Sequence, residues 1–128
     1  LDLLLDTHAF IWWLSGDGRL SRKARAALAA DVNGIFVSAA SAWEIATKYR
    51  IGKLDGVAAV VVDVAGAISS QGFSALPIGV QHGQLAGSLP GGHRDPFDRM
   101  LIAQALLENL LLVSNDSVFD GFGVHRYW

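Results

Sequence analysis

The sequence predicts an α/β domain with a mainly parallel sheet and helices on both faces. Three observations carry that expectation. Short runs of strand length, LDLLLD at residues 1–6, GIFVS at 34–38 and LLLVS at 110–114, are apolar almost without a break, as strands covered on both sides are. Segments of helical length separate them, so strands and helices alternate along the chain. No internal repeat, low-complexity run or linker interrupts the 128 residues. That length fits one domain, residues 1–128, able to bury about two-thirds of its extended-chain surface.

Taken in order, Leu1 to Asp6 is the first strand and stops at a carboxylate. Thr7 to Leu14 is a short helix in which the adjacent Trp12 and Trp13 point different ways, one into a core and the other towards an interface. The SGDG turn leads to Ser21, an N-cap for the Ala-rich helix RKARAALAA. Gly34 to Ser38 is the second strand. Ser41 to Arg50 is a helix ended by Gly52, with Ser41 and Glu44 at capping-box spacing. Val57 to Ser70 has strand-favouring valines but helix length, and is assigned to helix. Phe73 to Ile78 is a third strand and Val80 to Ser88 a short helix. After the Pro90 to Gly92 turn, Asp95 stands at an N-cap, Pro96 at the first helical position and Asp98 three residues past the cap. Phe97, Leu101, Ile102, Ala105 and Leu106 follow with helical spacing. Leu110 to Ser114 is a further buried strand, and GVHRYW adds a last one.

Composition narrows the function. The chain is 52% hydrophobic and 17% charged, yet no apolar run reaches the roughly 20 residues of a membrane helix, so a soluble protein is expected. So much apolar surface on a small domain implies that a partner covers part of it, and a homodimer is expected. The absence of cysteine excludes disulfides, thiolate metal sites and thiol catalysis, and fits the reducing cytoplasm. No secretion signal is apparent at the start. A net charge of −2 argues against nucleic-acid binding through overall charge, although seven of the ten basic residues lie between Arg19 and Lys53.

Ligands of such sheets bind outside the carboxyl ends of the strands, where the following helices begin. Asp6 ends the first strand, Glu44 opens the helix after the second, Asp98 opens the long helix and Asp116 follows LLLVSN, so all four should face one edge. Each also has a purely structural reading: Asp6 as a helix cap, Glu44 as the partner of Ser41 or Lys48, Asp116 as the cap of a turn. Carboxylates gathered in one place repel one another unless a cation neutralises them. Hard oxygen ligands without cysteine point to Mg²⁺ or Mn²⁺.

LLLDTHAFIWWL at 3–14, SAASAWEIATKYRIGKL at 38–54 and HRDPFDRMLIAQA at 93–105 together resemble the PIN-domain family, and more narrowly its VapC-type toxins. The resemblance spans almost the whole chain, and the DPFDRMLIAQA block is its most specific part. It implies a three-layer α/β/α sandwich and a Mg²⁺- or Mn²⁺-dependent ribonuclease acting on single-stranded RNA. It also implies a cognate antitoxin that inserts a segment near the acidic site. Matched motif by motif, the family's acids fall on Asp6, Glu44, Asp98 and Asp116. Of the two acids in DPFD, Asp98 is taken as the inner ligand because Asp95 suits the cap. Asp116 binds a second metal or a coordinating water, and Thr7, Ser38 and Asn115 are polar neighbours able to orient ligands.

Carboxylate-held Mg²⁺ needs no catalytic histidine. His8, His82, His93 and His125 are therefore read as structural, with His93 set apart by its position just before Asp95. Arg94, Arg99 and the Arg19 to Arg25 and Lys48 to Lys53 clusters could guide an RNA backbone, pair with the antitoxin, or simply be solvated. Two rival functions remain. A receiver-like or scaffold domain would bind metal on the same edge without turnover, but it wants a lysine after its last strands, and the only lysines are Lys23, Lys48 and Lys53. A phosphomonoesterase using Asp6 as nucleophile wants a second acid where His8 stands.

Overall fold

A strand of consecutive leucines is stable only where both faces and both edges are covered, and the LDLLLD run takes that place. The computed structural model describes residues 1–128. In it β1 (Asp2–Leu5) runs between β2 (Gly34–Ser38) and β4 (Leu111–Val113). With β3 (Ser74–Leu76) and β5 (Arg126–Tyr127) at the edges, the five strands lie in the order β3-β2-β1-β4-β5. Every neighbouring pair is parallel, and Leu4 is in register with Phe36 on one side and Leu112 on the other.

The helices are α1 (Thr7–Ser15), α2 (Arg22–Ala29), α3 (Ala39–Arg50), α4 (Ala58–Val61), α5 (Val64–Ser70), α6 (Val80–Ser88) and α7 (Pro96–Leu107). A 3-10 turn covers Ser117–Phe122. Strand alternation divides the core in two. Leu3, Leu5, Val37 and Val113 pack against Phe10, Trp12, Leu28 and Ile45 from α1, α2 and α3, whereas Leu4 and Leu112 meet Leu101 and Ile102 of α7 and Phe119. Leu3, Leu4 and Leu5 have no exposed surface, each removal from water contributing about 1.5–3 kcal/mol. The result is the three-layer α/β/α sandwich that the sequence implied.

The strand order positions the site. The chain lays β2 and β3 to one side of β1, then returns to lay β4 and β5 on the other. The direction of winding thus reverses between β1 and β4, and a crevice opens there at the carboxyl ends of the strands.

Three local expectations are corrected. α3 begins at Ala39 with Ser38 as its cap, the Ser38 hydroxyl accepting from Ala40 N at 2.9 Å, so Ser41 is not an N-cap and Glu44 closes no capping box. The strand simply turns into the helix at its own last residue, whose extended backbone (ψ 148°) already suits a cap. The single helix expected over Val57 to Ser70 is two, α4 and α5, because Asp63 caps a new start by accepting from Gly66 N at 2.9 Å. The β-branched run before it favours no long helix. The third strand is only Ser74–Leu76. Of the paired tryptophans, Trp12 is the buried one; Trp13 lies half-covered, donating to Gln71 Oε1 at 3.0 Å and packing on Phe73.

Candidate active site

Each acid is placed by a short piece of local structure. Asp6 follows β1 directly, and its N–H continues the sheet by donating to Val113 O at 3.0 Å. Its carboxylate caps α1, accepting from Ala9 N at 2.7 Å, and is 7% exposed. Glu44 stands in the second turn of α3, 5% exposed, and accepts from Lys48 one turn further on. The Thr7 hydroxyl donates to Ser41 Oγ at 3.0 Å and so pins α1 to α3.

At the start of α7 the two acids divide their work. Asp95 Oδ1 accepts from Phe97 N at 2.9 Å and Asp98 N at 3.0 Å, satisfying two of the helix's free donors. Asp98 is thereby left free of capping, and its Oδ2 lies 2.8 Å from His93 Nε2. Asp116 follows β4, donates its N–H to Ser114 Oγ at 3.0 Å and accepts from Val118 N at 3.0 Å, capping the 3-10 turn. It is exposed.

All four acids line one cleft of about 230 Å³ at the reversal point of the sheet, together with Asp95, Thr7, His8, Lys48 and Asn115. The structural readings of Asp6 and Asp116 as caps hold at the same time, since one carboxylate oxygen serves the cap. Ser38 does not reach the cleft and is a helix cap.

The electrostatics record burial first and crowding second. Burial raises the Asp6 carboxyl to about 6, opposed by hydrogen bonds from Ser114 and Ala9 and reinforced by the charge of Asp98. Asp98 is also raised, by burial first, with His93 opposing and Asp95 and Glu44 adding to the rise. Burial works against the ammonium of Lys48, yet its hydrogen bond to Glu44 and the charges of Asp95 and Asp98 outweigh that, and its pKa is raised.

No three of the acidic and imidazole groups close on one point at coordinating distance in this arrangement. Glu44 and Asp98 are instead turned onto Lys48 and His93, two bases standing in the place of a cation. The donor set nevertheless fits a divalent cation: oxygen ligands only, two of them almost buried, with burial raising the carboxyl of Asp6 to about 6.

His93 and Lys48 are the site residues that sequence reasoning undervalued. The signal for His93 was its place in HRDPFD, where the loop doubles back over the helix start. Conversely, Arg99 is not available to RNA: it donates to the carbonyls of Ala86, Leu89 and His93 at 2.6–2.9 Å and ties the loop before α7 to the end of α6. Arg50 and Lys53, at and beyond the far end of α3, do not line the cleft, nor does Arg94. His82 is structural, bonded to Gly79 N and Glu108 at 2.9 Å.

Among curated proteins none matches the chain significantly. Several solved structures share its fold. VapBC2 from Rickettsia felis bound to a promoter DNA fragment is 15% identical with a TM-score of 0.67, over 98% of this chain and 96% of that one. FitAcB from Neisseria gonorrhoeae is 15% identical with a TM-score of 0.68, over 98% and 96%. A toxin–antitoxin complex from Klebsiella pneumoniae is 20% identical with a TM-score of 0.61, over 90% and 87%. The family profile of the PIN domain, whose members are generally nucleases dependent on a divalent metal, matches residues 3–124. With that match covering nearly the whole chain, and with this fold beneath it, the chain belongs to the PIN-domain family.

Proposed function

We propose that the chain is a Mg²⁺- or Mn²⁺-dependent endoribonuclease, the toxin of a VapC-type pair, neutralised by a cognate antitoxin in the cytoplasm. The observation that carries the reading is the convergence of Asp6, Glu44, Asp98 and Asp116 on one cleft with no thiol or nucleophile–base pair beside it. These four would hold the ion. When bound, such an ion lowers the pKa of a water and neutralises charge on a phosphoryl oxygen, as phosphodiester hydrolysis requires. The chain's own groups prepare the place. Asp95 fixes the start of α7, His93 holds one oxygen of Asp98, and Thr7 locks α1 to α3.

Support for the toxin role comes from the sequence resemblance and from the similarly folded proteins, among them VapBC2 and a toxin–antitoxin complex. Trp43, Tyr49 and Ile51, exposed on α3 and just past it, supply apolar surface for a second copy of the chain in a homodimer. No helix is long and apolar enough to cross a membrane.

The test is incubation with single-stranded RNA and with a small phosphoester, with and without EDTA, alongside expression in growing cells. RNA cleavage and growth arrest that EDTA or antitoxin co-expression respectively suppress are expected. Asp6→Asn and Asp98→Asn should abolish both while leaving the circular dichroism unchanged. Full activity of both variants at saturating Mg²⁺ would remove the site assignment, and phosphoester turnover without RNA cleavage would replace the function.

A further inference from the structure

A second, wider hollow of about 500 Å³ adjoins the acidic cleft and shares His8, Asn115 and Asp116 with it. Trp12, Arg19 and Ser117 complete its lining. Arg19 is no loose surface side chain. Asp17 accepts from its Nε at 3.1 Å and its Nη2 at 2.8 Å, and its guanidinium lies 4.9 Å from the centroid of the Trp12 ring. Nη1 makes no hydrogen bond within the chain, and the side chain is 68% exposed. One edge of the fork is therefore anchored and the other faces outward, the arrangement in which little freedom remains to be lost on binding an anion. Arg25 donates to the main-chain carbonyl of Asp17 at 2.9 Å and so steadies the turn that carries Arg19.

Arg94 lines neither hollow, and three further cations are held within the chain. Lys48 is held by Glu44, Arg99 by carbonyls and Arg126 by Asp120. A strand whose scissile phosphate sits in the cleft must carry its next phosphate past one wall, and Arg19 is the one arginine that lines either hollow. We propose that this hollow receives the phosphate adjacent to the scissile bond of a single-stranded RNA, through Arg19. The inference rests on the ribonuclease reading above. It gives the RNA a direction across the sheet edge, from the acids towards α1 and the turn that follows it.

The test uses the full chain and a fluorescent single-stranded oligoribonucleotide, with anisotropy measured in EDTA over a range of salt. Arg19→Gln should bind about tenfold more weakly, with the slope of log affinity against log salt smaller by about 0.7, one phosphate contact. Arg19→Lys should keep the slope. Asp17 still holds the backbone N–H of residue 19 at 2.9 Å, so the turn survives the change. Arg50→Gln, the same charge change outside both hollows, should leave affinity and slope intact. With Mg²⁺ present, Arg19→Gln should raise KM by a similar factor and leave kcat within about twofold. An unchanged slope for Arg19→Gln, or an equal loss in Arg50→Gln, overturns the subsite while RNA cleavage by the unaltered chain keeps the ribonuclease reading. Absence of that cleavage with Mg²⁺ and with Mn²⁺ overturns both.

Discussion

His93 Nε2 and Asp98 Oδ2 are 2.8 Å apart, so a loop residue holds one oxygen of a carboxylate in the first turn of α7. The other oxygen is left to the cleft. His93→Ala removes that constraint without touching the four acids. Affinity for Mn²⁺, measured by titration calorimetry, is expected to fall about 10- to 100-fold, the usual effect of losing a residue that orients a ligand. An unaltered affinity would make the contact incidental.

Asp6 makes stability depend on pH. Its carboxyl titrates at about 6 in the folded chain against an ordinary 3.8, so between those values the folded state binds the proton more tightly than the unfolded state. The ion-free chain therefore loses stability as pH rises through that window and levels off above it. The full shift corresponds to roughly 3 kcal/mol. Asp6→Asn keeps an oxygen for Ala9 N and removes the charge. Its midpoint in urea at pH 7 should lie above that of the unaltered chain, and the two should converge near pH 4. Parallel pH profiles would show that Asp6 is not the group responsible.

Lys48 acts in the ion-free chain as the counter-charge of Glu44. Lys48→Met leaves a carboxylate that is 5% exposed without a partner and should cost about 1–3 kcal/mol in denaturant unfolding. Millimolar Mg²⁺ should restore more stability to this variant than it adds to the unaltered chain. Equal gains in both would show that the ammonium and the ion do not share a place.

Asp95 and Asp98 can be separated by two parallel substitutions. Asp95→Asn retains a capping oxygen and should keep most RNA cleavage. Asp95→Ala should lose about 1 kcal/mol of stability with the cap. Asp98→Asn should remain folded and lose cleavage at least about a hundredfold. Loss of cleavage in Asp95→Asn equal to that in Asp98→Asn would assign both carboxylates to the ion.

What the sequence revealed was whatever is decided locally. The Asp95–Pro96 start of α7 and the buried Leu3 to Leu5 strand follow from capping chemistry and hydrophobic pattern, and the shared edge of the four acids follows from strand–helix alternation. The start of α3 was not legible because Ser38 and Ser41 are equally good caps, and the choice depends on where β2 leaves the sheet. The break at Asp63 was hidden by valines that suit a strand as well as they fill a helix. The reach of His93 to Asp98 and of Arg99 to three carbonyls depends on how one loop folds back, which neither period nor propensity encodes.

The reversal of the sheet between β1 and β4 bears on how the cleft comes together as the chain folds. β1 pairs with β2 close by in sequence, yet its other edge stays bare until residues 111–113 pair with it. Asp6 and Asp116, far apart in sequence, meet only then. A chain in which β4 has not docked on β1 thus lacks one wall of the cleft, and the acids are gathered by that single long-range pairing.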